Sequence, residues 1–425
     1  MSVGAGAGDD GGEVGGGLLH VPVGLGDLDV IDDSDYHAVI IGGRYGSISD
    51  GGISYTEREF DYAVSQGVPA MGFIHDNPEM IPAKWTEKDP ESIPKFEAKI
   101  NSTVMPMCAC WSVCRYVPAM TLIDQITDGS GGFLTFALTP PRSSTAGDRA
   151  QEIADATLAR LRPLDVDGLV LYDIADETSR NPAQRPFPFM PTLDPATYLS
   201  DYLTGWQGPV VVYRAVTKYP RPELQTWIER QDPSRVLTVL VGAASRDAQP
   251  ATSLAEARTL CRDANPQLLA GGVAIPERHR RREDEHLRLL AKQNSGCRFF
   301  VTQVVYDVNA AKNLVSDYHY ACAARGTVTA PIAFTFTVCG SMRTLEFLRW
   351  LGVDVPRWIE NDLKHATDTL EASYRLAVAA ATDLITYCRD LGVPFGINVE
   401  SVSIRRVEIE MAIRLAEHLG TKLRQ

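Results

Sequence analysis

Acids, amides and a histidine recur in this 425-residue chain immediately after short apolar runs. Glu277 and His279 follow LLAGGVAI (268–275), while Gln303, Tyr306 and Asp307 lie on or just beyond FFVTQVVY (299–306). Asp173, Asp176 and Glu177 come at or after the end of GLVLYDI, Tyr213 and Arg214 lie late in PVVVYRAV, and Asn398 and Glu400 close GINVE. Carboxyls and an imidazole gathered at one mouth can exchange protons with a ligand. Taken singly, each of these groups is a loop cap or a surface charge. Their delivery by several separate loops is what marks a site. Gln303 is the most telling member. A strand apolar on both faces offers its amide no partner, and a ligand with an amide-like ring edge would supply one.

The elements that must position these groups follow a regular pattern. Apolar runs occur at 133–138, 168–174, 209–216, 235–242, 268–275, 299–306, 331–338 and 393–399, each followed by a helical pattern. Ala310, Leu314, Tyr318 and Cys322, spaced four apart, mark one helix face. Parallel strands buried on both faces read as continuous apolar runs. Eight of them alternating with helices predict an α/β fold, a (β/α)8 TIM barrel over 133–425. The runner-up is an open doubly wound sheet. It would normally carry a Gly-rich phosphate turn after its first strand, where this chain has TPPRSST (139–145). The region 341–392 reads as a helical insertion. Glu283, Asp284 and Glu285 read as a helix start and Gly296 as its end. The basic cluster Arg278, Arg280, Arg281 and Arg282 reads as a solvated loop leading into that helix.

Ahead of the barrel, residues 1–33 are Gly- and Asp-rich and read as a disordered tail. Residues 34–127 begin with YHAVIIGGRYG, a helix YTEREFDYAVS and the strand VPAMGFIH, a small α/β segment; DGSGG (128–132) reads as a linker. A net charge of −13 argues against nucleic acid or anionic membrane as partners. No apolar run reaches the ~18–20 residues of a membrane span. The first residues lack a secretory leader pattern, which gives a cytoplasmic expectation. Cys108, Cys110 and Cys114 lack a second ligand pair at zinc spacing and read as free thiols. G-x-S-x-G, H-E-x-x-H and P-loop motifs are all absent.

FALTPPR (136–142), AIPERH (274–279), the run from Lys292 to Gln303 and TQVVYD (302–307) resemble methylenetetrahydrofolate reductase, over about 130–425. The resemblance implies a folate-type substrate, FAD, and NAD(P)H as hydride source. It places His279, Glu285 and Lys292 at flavin-contacting positions and Gln303 at a folate contact, with Tyr306 and Asp307 beside it. The family's first strand normally carries a general-acid Glu, where this chain has Ala137. Its fourth normally ends in an Asp, where this chain has Val241-Gly242-Ala243. Glu400, Asp173 and Glu177 are the carboxyls that could replace the acid, Glu400 first. Losing a general acid costs about 10²–10⁴-fold in rate.

On the stretch 34–75, residues about 34–100 resemble the DUF4062 family, itself similar to TIR domains, with the usual opening strand missing and Glu59 at the position of a NAD-cleaving Glu. Three functions compete on this reading. The first is an NAD(P)H-dependent folate reductase. The second is a diverged folate- or pterin-binding barrel without flavin or catalysis. The third is a TIR-like NAD-cleaving protein of defence or signalling. The expected partner is a folate-type small molecule, with a homo-oligomer as the assembly.

Overall fold

A computed structural model describes residues 2–5, 37–41, 53–66, 70–74, 95, 99 and 120–425 except 177–180, 182 and 243–249. The chain divides into two units, 1–118 and 119–425. Glu177, Ala243 and the three cysteines at 108–114 lie outside the described residues.

In the first unit, β1 (Ser2–Ala5), β2 (His37–Ile41) and β3 (Ala70–Ile74) form a parallel sheet in that order. The expected tail therefore contains a strand, held to β2 through its backbone. Helix Tyr55–Ser65 starts where the Ser54 hydroxyl accepts from the Glu57 N–H, and it buries Phe60 and Ala63. Glu59 lies in mid-helix.

The second unit is a closed parallel barrel. Its strands are β4 (Phe133–Leu138), β5 (Gly168–Leu171), β6 (Val210–Ala215), β7 (Val236–Val241), β8 (Ala270–Ala274), β9 (Cys297–Val304), β10 (Ile332–Thr337) and β11 (Phe395–Glu400). All eight coincide with the expected apolar runs. Strand residues alternate between two cores. Leu134, Phe136, Leu169, Val212, Phe300, Phe334 and Ile397 face the helical layer. Phe133, Ala137, Val170, Tyr213, Val239, Phe299 and Val301 form the interior.

Helix Leu122–Thr127 belongs to that interior, packing Leu122 and Ile126 against it. Glycine makes the space at three inward positions. A Cβ at Gly396 would stand 2.1 Å from the Phe133 ring, one at Gly271 2.6 Å from Phe299, and one at Gly168 2.6 Å from Leu122. Close-packed interiors have no slack for such atoms.

The insertion 341–392 holds helices Met342–Trp350, Arg357–His365 and Thr369–Leu391. The basic cluster differs from expectation, because Pro276–Arg282 is a helix rather than a loop. Pro276 at its first turn and four basic side chains at its last are both helix-favouring. Glu283 then turns into the left-handed region at φ 55° and frees a second helix, Glu285–Asn294. Among the described residues no helix is long and apolar enough to cross a membrane.

Candidate functional site

The strand alternation decides which polar groups enter the barrel. On β11, Asn398 and Glu400 point inward with Gly396. On β4, Thr135 and Ala137 do so, and residue 172 continues the inward row of β5. Register pairs Asn398 with Thr135 and Glu400 with Ala137 on one side, and with Thr335 and Thr337 on the other.

These side chains form one hydrogen-bonded network. The Tyr172 hydroxyl donates to Glu400 Oε2 at 2.6 Å, and Asn398 Nδ2 donates to the Tyr172 oxygen at 3.1 Å. Asn398 also donates to Thr335 Oγ1 at 3.1 Å and accepts from Thr135 Oγ1 at 2.9 Å. The Tyr172 and Tyr213 rings meet edge to face at 4.9 Å. Glu400 is 9% exposed. Burial pushes its carboxyl up to about 7, against the hydrogen bond from Tyr172, which holds it down. Burial and the Glu400 charge raise the Tyr172 phenol well above its usual range. A carboxyl poised near neutrality at the mouth of a barrel can give or take a proton.

Gln303 lies on β9 and donates from Nε2 to the Leu351 carbonyl at 2.9 Å. Leu351 ends the helix that follows β10, and that helix is tied to the loop after β5. Asn181 donates to the Trp350 carbonyl at 2.9 Å, Trp350 Nε1 to the Ala183 carbonyl at 2.8 Å, and Arg343 to the Pro186 carbonyl at 2.8 Å. In the barrel order β11 and β4 lie between β10 and β5. The tie therefore bridges the sector that carries Glu400 and Ala137. Arg185 lies over the rings of Phe347 and Trp350 within this bridge.

The remaining expected residues lie elsewhere. Asp173 accepts from the Ala215 N–H at 2.8 Å, Lys218 Nζ at 2.5 Å and the Tyr219 hydroxyl at 2.8 Å. Its acceptor sites are filled by a rim network that also binds Arg214 to Asp194. Asp307 caps helix Val308–Ala323, accepting from the Ala310 N–H at 3.1 Å. Tyr306 is buried in an apolar cluster with Cys339, Leu345 and Leu348.

Glu285 is fully buried and pairs with Arg278 at 2.8 Å and Lys292 at 3.7 Å. Lys292 also donates to the Val273 carbonyl, and burial lowers its ammonium pKa. His279 is buried in the helical layer, 3.0 Å from Asp317. Of the three residues expected at a flavin, Glu285 thus spends its carboxylate on Arg278 and Lys292, Lys292 its ammonium on Glu285 and a strand carbonyl, and His279 its Nε2 on Asp317, while His279 Nδ1 has no hydrogen-bond partner among the described residues. They do not fit a flavin cradle.

Two groups escaped the sequence expectation. Tyr172 was legible only through the inward phase of β5. Glu277 was noted at a strand end, yet its isolation was not. It is 1% exposed, its Oε2 has no partner among the described residues, and burial raises it to about 7 with Asp354 adding to the rise.

Barrel, mouth and polar interior define a TIM-barrel protein with polar side chains gathered at the C-terminal ends of its strands. Residues 248–403 match the profile of methylenetetrahydrofolate reductase, and 27–117 match a domain of unknown function, DUF4062. One solved structure is an uncharacterized protein from Clostridium thermocellum that binds two copies of 5-methyl-5,6,7,8-tetrahydrofolic acid. It is 40% identical over 70% of this chain and 98% of that one, with a TM-score of 0.63. The chain therefore belongs to the methylenetetrahydrofolate reductase-like barrel family, with a DUF4062 segment ahead of the barrel. A GH10 xylanase from Thermobacillus composti is 12% identical over 64% of this chain and 85% of its own, with a TM-score of 0.38, a level from which nothing about this chain follows. Among curated proteins none matches.

Proposed function

We propose that the barrel binds a reduced folate at its mouth, with the pterin ring against Glu400, Tyr172 and Gln303. The observation that carries this reading is the Glu400 carboxyl, inward, buried and raised to about 7. A pterin edge alternates N–H donors with ring nitrogens and a carbonyl. A protonated carboxyl donates to such a nitrogen, and the Gln303 carbonyl oxygen accepts from an N–H. The Clostridium thermocellum protein, which binds 5-methyltetrahydrofolate, supports the ligand class.

The family resemblance carries a finer reading, reduction of a folate-bound one-carbon unit by NAD(P)H through FAD. What supports it is the profile match over the second half of the barrel. The engagement of His279, Glu285 and Lys292 with other groups weighs against the flavin. The chemistry assigned to this chain's own residues is therefore to bind the ring, exclude water beneath the tie made by Asn181, Ala183 and Pro186, and hold a proton on Glu400.

Calorimetry with 5-methyltetrahydrofolate tests the binding. Saturable binding that Glu400→Ala weakens at least tenfold is expected, and unchanged binding would overturn the assignment of Glu400. Incubating the purified chain with FAD and then NAD(P)H and methylenetetrahydrofolate tests the finer reading. Retained flavin and consumed NAD(P)H would establish the reductase; a colourless protein would leave binding as the activity.

A further inference from the structure

Three helices outside the barrel interior bring two imidazoles and a carboxylate together. His279 comes from helix Pro276–Arg282, His286 from Glu285–Asn294 and Asp317 from Val308–Ala323. The left-handed turn at Glu283 folds the first two helices so that their histidine rings meet edge to face at 5.3 Å. One potential ligand atom from each of the three residues lies within 4.8 Å of the others.

We infer that these residues form a binding site for a divalent transition ion of the zinc class. Two nitrogen donors and one oxygen donor suit such an ion better than calcium or magnesium, which prefer oxygen sets. Ligand atoms around a tetrahedral zinc ion stand about 3.3 Å apart, given bonds of about 2.0–2.1 Å. His279 Nε2 and Asp317 Oδ2 are already 3.0 Å apart. The half-buried His286 and the exposed Asp317 have room to close the rest by side-chain rotation.

A second observation points the same way. His279 Nδ1 and His286 Nδ1 are both buried and accept or donate no hydrogen bond among the described residues. Coordination through Nδ1 would recover the cost of that buried, unpaired nitrogen at His286, whereas His279, whose Nε2 faces Asp317, would bind through Nε2 and carry its proton on Nδ1. The charges nearby do not block the site. Arg278 is paired with Glu285, Arg280 with Asp307, and Arg281 donates to the Glu277 carbonyl. Three protein ligands leave a fourth position to water, and Asp317 opens that position to solvent.

The ion would tie together three helices that pack on one another. Its role is separate from the folate site, since none of its ligands belongs to the Glu400 network. Binding also requires neutral imidazoles, so affinity falls as the solution is acidified.

The test is zinc ion alone, added to metal-stripped full-length protein and followed by calorimetry, with cobalt absorbance as a second readout. His286→Ala and Asp317→Asn are the variants, because neither side chain is as deeply buried as His279 and each keeps the fold. Circular dichroism checks this. Wild type is expected to bind one equivalent more than either variant, with a cobalt d–d band that both variants lose. Equal stoichiometry, affinity and cobalt spectra in wild type and both variants would overturn the site and assign any zinc uptake to the chain's other cysteines and histidines.

Discussion

Glu400 stands opposite Ala137 in the register of β11 and β4. The resemblance to the reductase family places a general-acid Glu at position 137, where this chain has a methyl group. Glu400 lies one strand around the barrel from that position, at the same height and also inward. It accepts from the Tyr172 hydroxyl at 2.6 Å, and burial raises its carboxyl to about 7.

The first prediction concerns stability against pH. Glu400 is raised from its ordinary 4.5 to about 7, so the folded state holds the proton more tightly than the unfolded chain. The penalty for ionising it is absent below about pH 4.5, grows between the two values and is fully present above about 7. Glu400→Gln keeps a neutral, hydrogen-bonding isostere. The variant should therefore be more stable than wild type at pH 8, by on the order of 3 kcal/mol at most, and equal to it near pH 4.5. Urea unfolding at the two pH values reads the difference. A gap of the same size at both would mean that the carboxyl is not the titrating group.

Tyr172→Phe removes one hydroxyl from two hydrogen bonds, to Glu400 and from Asn398. A loss of about 1–2 kcal/mol is expected. Because the tyrosine hydrogen bond is what holds the Glu400 pKa down, the midpoint of the stability titration should also move to higher pH. Paired denaturation curves over pH 5–9 measure both effects, and a midpoint that moves to lower pH contradicts the network.

How much of this was legible from residues alone divides by the range of the interaction. The eight strands announced themselves because both faces are buried, as in PVVVYRAV and PIAFTFTV. Ala310, Leu314, Tyr318 and Cys322, read as one helix face, are all buried. Glu400 was legible as the last residue of an apolar run. Lys292 and Glu285 read as flavin contacts through the family resemblance, and the sequence does not reveal that Lys292 reaches back to the Val273 carbonyl or that Glu285 closes on Arg278. PERHRRR read as a loop because four basic residues look solvated; the helix dipole and Pro276 outweighed that impression.

The ion-pair reading of Lys292 has its own consequence. Lys292→Met leaves Glu285 fully buried with Arg278 as its nearest remaining partner. A loss of about 2–4 kcal/mol is expected, since breaking one partner of a buried pair strands the other charge. Folate affinity should stay within about twofold. Thermal melts and calorimetry separate the two effects, and a variant of native stability with weakened folate binding would return Lys292 to the ligand site.

The glycine layer at the barrel's closed end gives a purely steric prediction. Gly396→Ala would set a methyl 2.1 Å from the Phe133 ring. Overpacking of this kind costs about 3 kcal/mol, and Phe133→Leu in the same chain should restore part of it. Melting temperatures of the single and double variants decide the matter. Equal melting temperatures for wild type and Gly396→Ala would show that the interior has slack at this layer.

The most direct test of the folate assignment is calorimetric titration of 5-methyltetrahydrofolate into the full-length chain at pH 6 and pH 8, for wild type, Glu400→Gln and Glu400→Ala. The account predicts saturable binding to wild type that weakens from pH 6 to pH 8 as Glu400 loses its proton. It predicts a pH-independent affinity for Glu400→Gln and a loss of about 10–100-fold for Glu400→Ala, the equivalent of one strong hydrogen bond. Binding that is equal in all three proteins, or absent from wild type, would contradict it.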